Sequence, residues 1–172
     1  FKENAVDFMI SNFLEELPDT VYQEIAKEPV LLALPDTHPA IQYAYPVEGD
    51  AFRHLDLSHL DWETFIVPLP NQSMRRTADR LFRENHIHPK RLIEIAHFDI
   101  IMSMVNQGMG VGFNRLGYLP DMQKFEHVRY FLINQEAKTS GFKLAYRKGH
   151  TLSDSERALI EIIEETVRKK MH

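Results

Sequence analysis

Two short polar stretches of the sequence could bind a small anion. Asn71 to Met74 and Ala96 to Asp99 each follow an apolar, strand-like run and precede a helical pattern. The N-terminus of a helix presents unpaired backbone N–H groups and a partial positive charge, so it attracts anions. The two stretches therefore predict a binding site. Ser73 could instead be an ordinary N-cap, and His97 a capping or packed histidine, so both structural interpretations stay open.

No known catalytic or metal-binding motif accompanies these stretches. Of the nine histidines, His86 and His88 stand two residues apart at a helix end, a spacing that does not suit shared ligation on a helix face. HExxH, GxSxG and P-loop motifs and a cysteine nucleophile are all missing from the sequence. The glycines from Gly108 to Gly112 follow a helix and enter a strand, whereas a dinucleotide-binding loop requires the opposite order. We therefore predict no catalytic residue, no metal and no cofactor, and a protein that is not an enzyme.

The second stretch belongs to a strand–helix–strand unit that runs from Arg91 to Phe113. Leu92 to Ala96 is short and β-branched, and a helical pattern follows until Gly108, the residue type favoured just past a helix end. Gly110 to Phe113 begins a second buried strand, where glycines allow close approach of neighbouring backbone. Such units have parallel strands, and ligands bind at the carboxyl ends of these strands.

The remaining patterns predict an α/β protein, because strands alternate with helices along the chain. Val21 to Ile25 is expected to be an edge strand, and Glu28 to Pro35 a separate strand covered on both faces, as in a parallel sheet. Ala40 to Phe52 is expected to be a surface loop packed by its own aromatic residues, with a lid over a cleft as the alternative. Ser153 to Glu156 has the form of a capping box. The helix it opens has an expected apolar stripe of Leu159, Ile162, Ile163 and Val167, and Met102 and Met104 are expected in the core.

Composition limits the class of protein further. The 172 residues are 44% hydrophobic and 26% charged, which is typical of a globular protein. A formal net charge of −5 argues against nucleic-acid binding by this chain itself. The sequence contains no cysteine and no apolar run of about 20 residues, so we expect a cytoplasmic protein that is not in a membrane. Because the chain opens almost directly on the strand-like run Ala5 to Ile10, we expect further protein upstream.

Three segments together resemble the effector-binding domain of LysR-type transcriptional regulators. They are the EPVLLALPDTHPA run from Glu28, the FIVPLPNQSMRRTADRLFRENHIHPKRLIEIAHFDIIMSMVNQGMGVGF run from Phe65 and the LAYRKGHTLSDSERALIEII run from Leu144. Members of that family show a strand ending in a P-x-HP-like hinge, a serine-containing loop before a helix, a strand–helix–glycine-rich strand and a YRKG…LS approach to the last helix. The resemblance covers most of the chain from Asp7 onward.

The resemblance implies a two-lobed fold like that of type 2 periplasmic binding proteins, with an interlobe cleft and two crossovers near Pro35 and Asn114. One lobe would comprise residues 1–35 and 115–172, the other residues 36–114. A small-molecule effector, possibly anionic, would bind in the cleft, and the protein would form homodimers or higher oligomers through faces such as the helix from Arg75 to Asn85. The expected ligand-binding residues are Leu34, Pro35, Asn71, Gln72, Ser73, His97, Phe98 and Asn114.

The function implied by the resemblance is effector sensing in a DNA-binding transcription regulator. DNA would be bound only through a helix-turn-helix region outside this sequence. We also expect the family's first strand and helix to lie outside this sequence. The segment from Asp36 to His54 looks longer than the hinge connection usual in the family. Two alternatives share the fold. A secretion signal upstream would favour a solute-binding protein of a transporter, and turnover lost on replacing His97 would favour an enzyme.

Overall fold

A computed structural model describes residues 8–11, 17–118, 124–133 and 139–170. In chain order the strands are β1 (Phe8–Ser11), β2 (Thr20–Pro35), β3 (His54–Leu55), β4 (Thr64–Val67), β5 (Arg91–Glu94), β6 (Val111–Arg115), β7 (Val128–Ile133) and β8 (Thr139–Arg147). The α-helices are α1 (Ser73–Glu84), α2 (Phe98–Asn106) and α3 (Asp154–Lys170). Short 3-10 helices cover Pro39–Tyr43, Leu57–Leu60 and Leu116–Tyr118.

The chain divides into two compact units. Unit 1 consists of residues 1–28 and 139–172, and unit 2 consists of residues 29–138. The chain passes from unit 1 into unit 2 within β2. The lobe boundaries expected from the sequence, after Pro35 and after Asn114, both fall inside unit 2.

Unit 2 is built on a mixed sheet with the strand order β5–β4–β6–β2–β7–β3. Strand β4 is parallel to β5 and β6, and β3 is parallel to β7. Strand β2 is antiparallel to both of its neighbours, β6 and β7. The expectation of two strands, the second in a parallel setting, is therefore wrong, because Thr20–Pro35 forms one 16-residue strand. Burial on both faces was correctly predicted, since a strand covered on both faces has the same apolar run whichever way its neighbours point.

The two helices of unit 2 cover opposite faces of its sheet. Phe65 and Val67 of β4 pack with the buried face of α1, and Ile66 between them packs with that of α2. Alternate residues of a strand point to opposite faces, so this pattern places α1 and α2 on either side. Met102 is buried and Met104 half-buried in the second of these cores, as predicted.

The predicted strand–helix–strand unit is confirmed as β5–α2–β6, and its glycines have physical reasons. Gly108 follows the end of α2 with φ +73°, a conformation that favours glycine. Gly110 lies where a Cβ atom would come within 2.6 Å of the Thr64 carbonyl oxygen. A side chain at Gly110 would therefore push β6 away from β4.

The segment between β2 and β4 packs on itself and on the core of unit 2. The ring of Tyr43 stacks on His59 with centroids 4.3 Å apart, and Ala40 and Ala44 are buried in the core. Tyr45 forms an isolated bridge with His54. Both histidines follow the predicted loop, so its tyrosines pack against the next segment of the chain and not only within Ala40 to Phe52.

Unit 1 contains β1 paired antiparallel with β8, which also pairs with β2, and helix α3. Its small core is formed by Ile25, Leu144 and Ile160. The predicted stripe of α3 is wrong in part, because Leu159 is 45% exposed and Ile162 60% exposed, while Ile160 is buried. The side chain of Val167 lies outside the described residues.

Candidate functional site

A cavity of about 490 Å³ lies in unit 2 at the carboxyl ends of β4, β5 and β6. These strands are parallel, so their carboxyl ends meet at one edge of the sheet. The chain leaves β4 for α1 on one face and β5 for α2 on the other, which opens a crevice at this edge. The cavity is lined by Pro68, Gln72, Ser73, Met74, Ala96, Phe98, Ile101, Arg115 and Tyr118.

Gln72 holds the two loops beside the cavity together. Its side-chain Oε1 accepts a hydrogen bond from the Leu69 N–H at 3.1 Å, and its Nε2 donates to the Ala96 carbonyl oxygen at 2.9 Å. Gln72 is also the N-cap residue of α1, but its side chain makes no capping hydrogen bond. The suggestion that Ser73 is the N-cap is wrong, since Ser73 is the first residue of the helix.

Helix α2 begins in the same way on the other side of the cavity. His97 is its N-cap residue, is exposed and makes no side-chain capping hydrogen bond. Phe98 opens the helix and lines the cavity, and Asp99 is an exposed acid in the first turn. The cavity therefore lies beside two helix N-termini whose N-cap side chains make no capping hydrogen bond, and such termini favour a negative charge.

Arg115 is the cationic residue among those that line the cavity. It ends β6 and is only 1% exposed. Its backbone N–H donates to Oδ1 of Asn114 at 2.7 Å. The guanidinium of an arginine suits planar, two-oxygen ligands such as carboxylates. The sequence interpretation missed Arg115, although an arginine that directly continues a buried strand was a usable signal.

Arg75, near the start of α1, is paired with two acids. Arg75 forms ion pairs with Asp79 at 2.9 Å and with Glu94 at 2.5 Å, and it also donates to the Pro68 carbonyl oxygen. The hydrogen bond to Asp79, with that to Glu94, raises the pKa of the Arg75 guanidinium although burial opposes the change. The charge of Arg75 is therefore satisfied outside the cavity.

An aromatic pair forms one wall of the cavity. The rings of Phe98 and Tyr118 lie 5.5 Å apart between centroids and are tilted by 47°. Phe98 is half-buried and Tyr118 is 45% exposed. Met74 and Ile101, which also line the cavity, are buried. The lining of the cavity thus combines one charged residue with a largely apolar surface.

The structure brings three of the eight expected binding residues, Gln72, Ser73 and Phe98, to the cavity. Asn71 and His97 stand next to lining residues but are exposed. Both belong to the predicted loops.

The other three expected residues are buried elsewhere in unit 2. Leu34 is in the core, and Pro35 is buried at the end of β2. Asn114 is 0% exposed and hydrogen-bonds to Tyr130, whose pKa is raised by burial although this hydrogen bond opposes the rise. None of the three is among the lining residues of the cavity.

Metal sites and membrane-spanning helices are both absent from the part of the chain that the structure describes. Within residues 8–11, 17–118, 124–133 and 139–170, no group of three or more His, Cys, Asp or Glu side chains could hold a metal ion. The helices in those ranges include none with the length and apolar character needed to cross a membrane.

Comparison with known proteins identifies the relatives of this chain. The HTH-type transcriptional regulator CfxR of Cupriavidus necator is 27% identical over 110 residues, which are 64% of this chain and 32% of CfxR. The chain thus spans about a third of the length of this curated relative.

Solved structures support the same relationship at the level of the fold. The effector-binding domain of QuiR in complex with shikimate matches 98% of this chain and 75% of that domain, with a TM-score of 0.72 and 20% identity. The Synechocystis PCC6803 CcmR regulatory domain in complex with 2-PG matches 96% of this chain and 75% of that domain, with a TM-score of 0.76 and 18% identity. The predicted fold class, an α/β fold of the type 2 periplasmic-binding-protein kind, is confirmed. The family model described as LysR substrate binding domain matches residues 1–168, so the chain belongs to the LysR substrate-binding domain family.

Proposed function

We propose that this chain is the effector-sensing domain of a LysR-type transcription regulator and that the cavity in unit 2 binds a small anionic effector. The observation that carries the proposal is the position of Arg115, buried at the cavity and beside the open N-termini of α1 and α2. The relatives QuiR and CcmR have been solved as complexes with small molecules, shikimate and 2-PG.

The expected free-energy contributions give Arg115 the main role in binding the anion. A helix N-terminus stabilises a nearby anion by about 0.3–1 kcal/mol at an exposed site. A hydrogen bond to a charged partner contributes about 1.5–3 kcal/mol. The helix ends and the bridging Gln72 therefore orient the ligand, and the guanidinium supplies most of the charge recognition.

Binding alone accounts for the chemistry of the cavity. Among its described lining residues there is no carboxylate, histidine or thiol that could serve as a general base or nucleophile. The enzyme alternative depended on His97. This residue is exposed and is not among the lining residues of the cavity. Membership of the LysR family and the similarity to CfxR favour a regulator over the solute-binding protein of a transporter.

In the whole protein, the effector would shift the population of arrangements of DNA-binding regions located outside this chain. The net charge of −5 agrees with a chain that does not itself bind DNA. We also propose a cytoplasmic homodimer, with the exposed side of α1 as one contact face.

The test is calorimetric titration of the protein with a panel of small carboxylates. Arg115→Met should weaken binding of the carboxylates that the unaltered protein binds by about 10- to 100-fold, because it removes the charged hydrogen bonds. Arg91→Met, at an exposed position of β5 outside the cavity, is the matched control and should bind normally.

The folded state of each variant is checked by circular dichroism and urea unfolding. If Arg115→Met does not fold, Arg115→Lys keeps a charge at the buried position but loses the two-pronged geometry, and binding should still weaken. Carboxylate binding of unchanged affinity in a folded Arg115→Met protein would contradict the proposal.

A further inference from the structure

We infer that the turn after β2 is a proton-sensitive device, in which His38 holds the 3-10 helix Pro39–Tyr43 in place only while its imidazole ring is neutral. This inference goes beyond the proposed function, because the turn lies away from the cavity. Strand β2 is antiparallel to β6, so the end of β2 lies towards the start of β6, whereas the cavity lies at the carboxyl end of β6. Both features belong to unit 2.

The ring of His38 caps this 3-10 helix. Its Nδ1 accepts a hydrogen bond from the Ala40 N–H at 3.2 Å. Pro39, the first residue of the helix, has no N–H, and the Ile41 N–H already donates to the His38 carbonyl oxygen. The Ala40 N–H is therefore the donor at this helix start that depends on a side chain, and Ala40 is only 4% exposed.

Protonation of the ring would remove this cap. A neutral imidazole has one donor and one acceptor nitrogen, whereas both nitrogens of the cation are donors. Since Nδ1 accepts, the proton of the neutral ring is on Nε2, which faces Oε1 of Glu63 at 3.5 Å. A proton added to Nδ1 would leave the Ala40 N–H buried and without an acceptor, which is costly.

The surroundings of the ring set the pH range in which the cap is lost. The His38 side chain is 11% exposed. Burial lowers the pKa of His38 below its ordinary value of 6.5, although the charge of Glu63 and its hydrogen bond oppose this change. The contribution of the cap to stability is therefore complete above pH 6.5 and is lost as the pH falls through the lower pKa of the folded protein.

The other titratable groups around the turn have different contacts. Asp36, in the same turn, is paired with His127 at 3.0 Å. The 3-10 helix Leu57–Leu60 packs against Pro39–Tyr43. The titratable groups on and beside it contact other residues: Asp56 contacts Ser58, His59 contacts Tyr43, and Asp61 contacts His88. Glu63 is thus the acid that faces the His38 ring, and variants at residue 38 separate its titration from that of the other groups.

Loss of the cap would loosen the segment that follows β2. Ala40 and Ala44 belong to the hydrophobic core of unit 2, so the capped turn keeps this segment seated on that core. Mild acid should therefore open the segment locally, and the cavity at the other end of the sheet is not involved.

The first experiment follows the His38 ring and the Ala40 amide of the unaltered protein by NMR, from about pH 8 to about pH 5, the range in which histidines titrate. The Ala40 amide shift should change with the same midpoint as the ring, below 6.5. Glu63→Gln should lower this midpoint further, because it removes the charge that favours the imidazolium. A ring midpoint at or above 6.5, a ring that does not titrate in this range, or an Ala40 amide that does not follow the ring would overturn the inference.

The second experiment replaces the proton-sensitive cap with a permanent one. His38→Asn supplies a good N-cap acceptor that does not titrate. Its urea midpoint should resemble that of the unaltered protein near pH 8, and its advantage should grow as the pH falls. His88→Asn is the matched control, because the His88 ring is 74% exposed and faces Asp61, and it should show no growing advantage. A constant difference between His38→Asn and the unaltered protein across the range would overturn the inference. If His38→Asn does not fold, the NMR titration of the unaltered protein decides.

Discussion

The helices of the two units begin in opposite ways. In unit 1, α3 starts with a complete capping box, in which the Glu156 N–H donates to the hydroxyl of Ser153 at 3.3 Å and the Ser153 N–H donates to the Glu156 carboxylate at 2.6 Å. In unit 2, α1 and α2 have no side-chain cap, and both begin at the cavity. The same feature, a helix N-terminus, is therefore capped at α3 and uncapped by its N-cap residue at α1 and α2, beside the cavity.

The capping box at the N-terminus of α3 stabilises the folded protein. His150 adds a contact of 2.9 Å to the Glu156 carboxylate. The hydrogen bonds from the Ser153 hydroxyl and N–H, with that from His150, lower the pKa of Glu156 to about 2. A capping residue is worth about 0.5–2 kcal/mol, so leaving a terminus open costs a comparable amount. The N-cap side chains of α1 and α2 do not supply this stabilisation, and under the proposed function the first N–H groups of these helices would bind the ligand.

The largest expected effect comes from one substitution made in both regions. Ile101→Ala in α2 and Ile160→Ala in α3 each remove a buried isoleucine side chain and should lower the free energy of unfolding by about 2–5 kcal/mol in urea titrations. Only Ile101 lines the cavity, so only Ile101→Ala should change carboxylate affinity.

If the alanine variants are too unstable to study, valine at the same two positions should cost about 0.5–1.5 kcal/mol and show the same contrast in binding. If Ile160→Ala is folded but binds carboxylates as poorly as Ile101→Ala, carboxylate binding does not distinguish the cavity of unit 2 from the core of unit 1.

The next prediction concerns the introduction of an N-cap side chain at the open N-terminus of α2. His97→Asn and His97→Asp place good N-cap residues at the start of α2 and should each raise the free energy of unfolding by about 1 kcal/mol. Both should weaken carboxylate binding, since the cap occupies N–H groups. The aspartate should weaken it further, by about two- to fivefold relative to asparagine, because of its charge. Increased stability with unchanged affinity in both variants would show that α2 takes no part in binding.

The smallest effect concerns the closed terminus and pH. Because the folded pKa of Glu156 lies below its ordinary value of 4.5, its contribution to stability is present above pH 4.5 and is lost as the pH falls towards about 2. Glu156→Gln should therefore be less stable than the unaltered protein near neutral pH, and the gap between their urea midpoints should narrow through this window. A gap that stays constant as the pH falls would contradict the role given to the Glu156 carboxylate.

Local patterns in the sequence predicted the local elements well. The capping box at Ser153, the end of α2 at Gly108 and the strand–helix–strand unit around His97 all depend on residues close in the chain. The two loops of the site could be located for the same reason. Each follows a buried strand, and the parallel pairing of β4 with β5 brings them together.

Features that depend on distant residues could not be predicted in this way. The sequence signals an unusual arginine at the end of a buried strand, but Arg115 lines the cavity because β6 pairs with β4, while the adjacent Asn114 lies buried by Tyr130. In α3, periodicity alone could not tell which apolar side would meet Leu144, and the structure buries Ile160 there. Tertiary pairing decides such cases, whereas the spacing of apolar residues only limits them.

The most direct test of the central claim is a map of backbone amide chemical shifts during titration of the protein with benzoate. We predict saturable changes at Ser73, Phe98 and Arg115, around the open termini and the buried guanidinium, and none at Asp154 in the closed terminus of α3. Saturable changes at Asp154 with none at the other three amides would contradict the account.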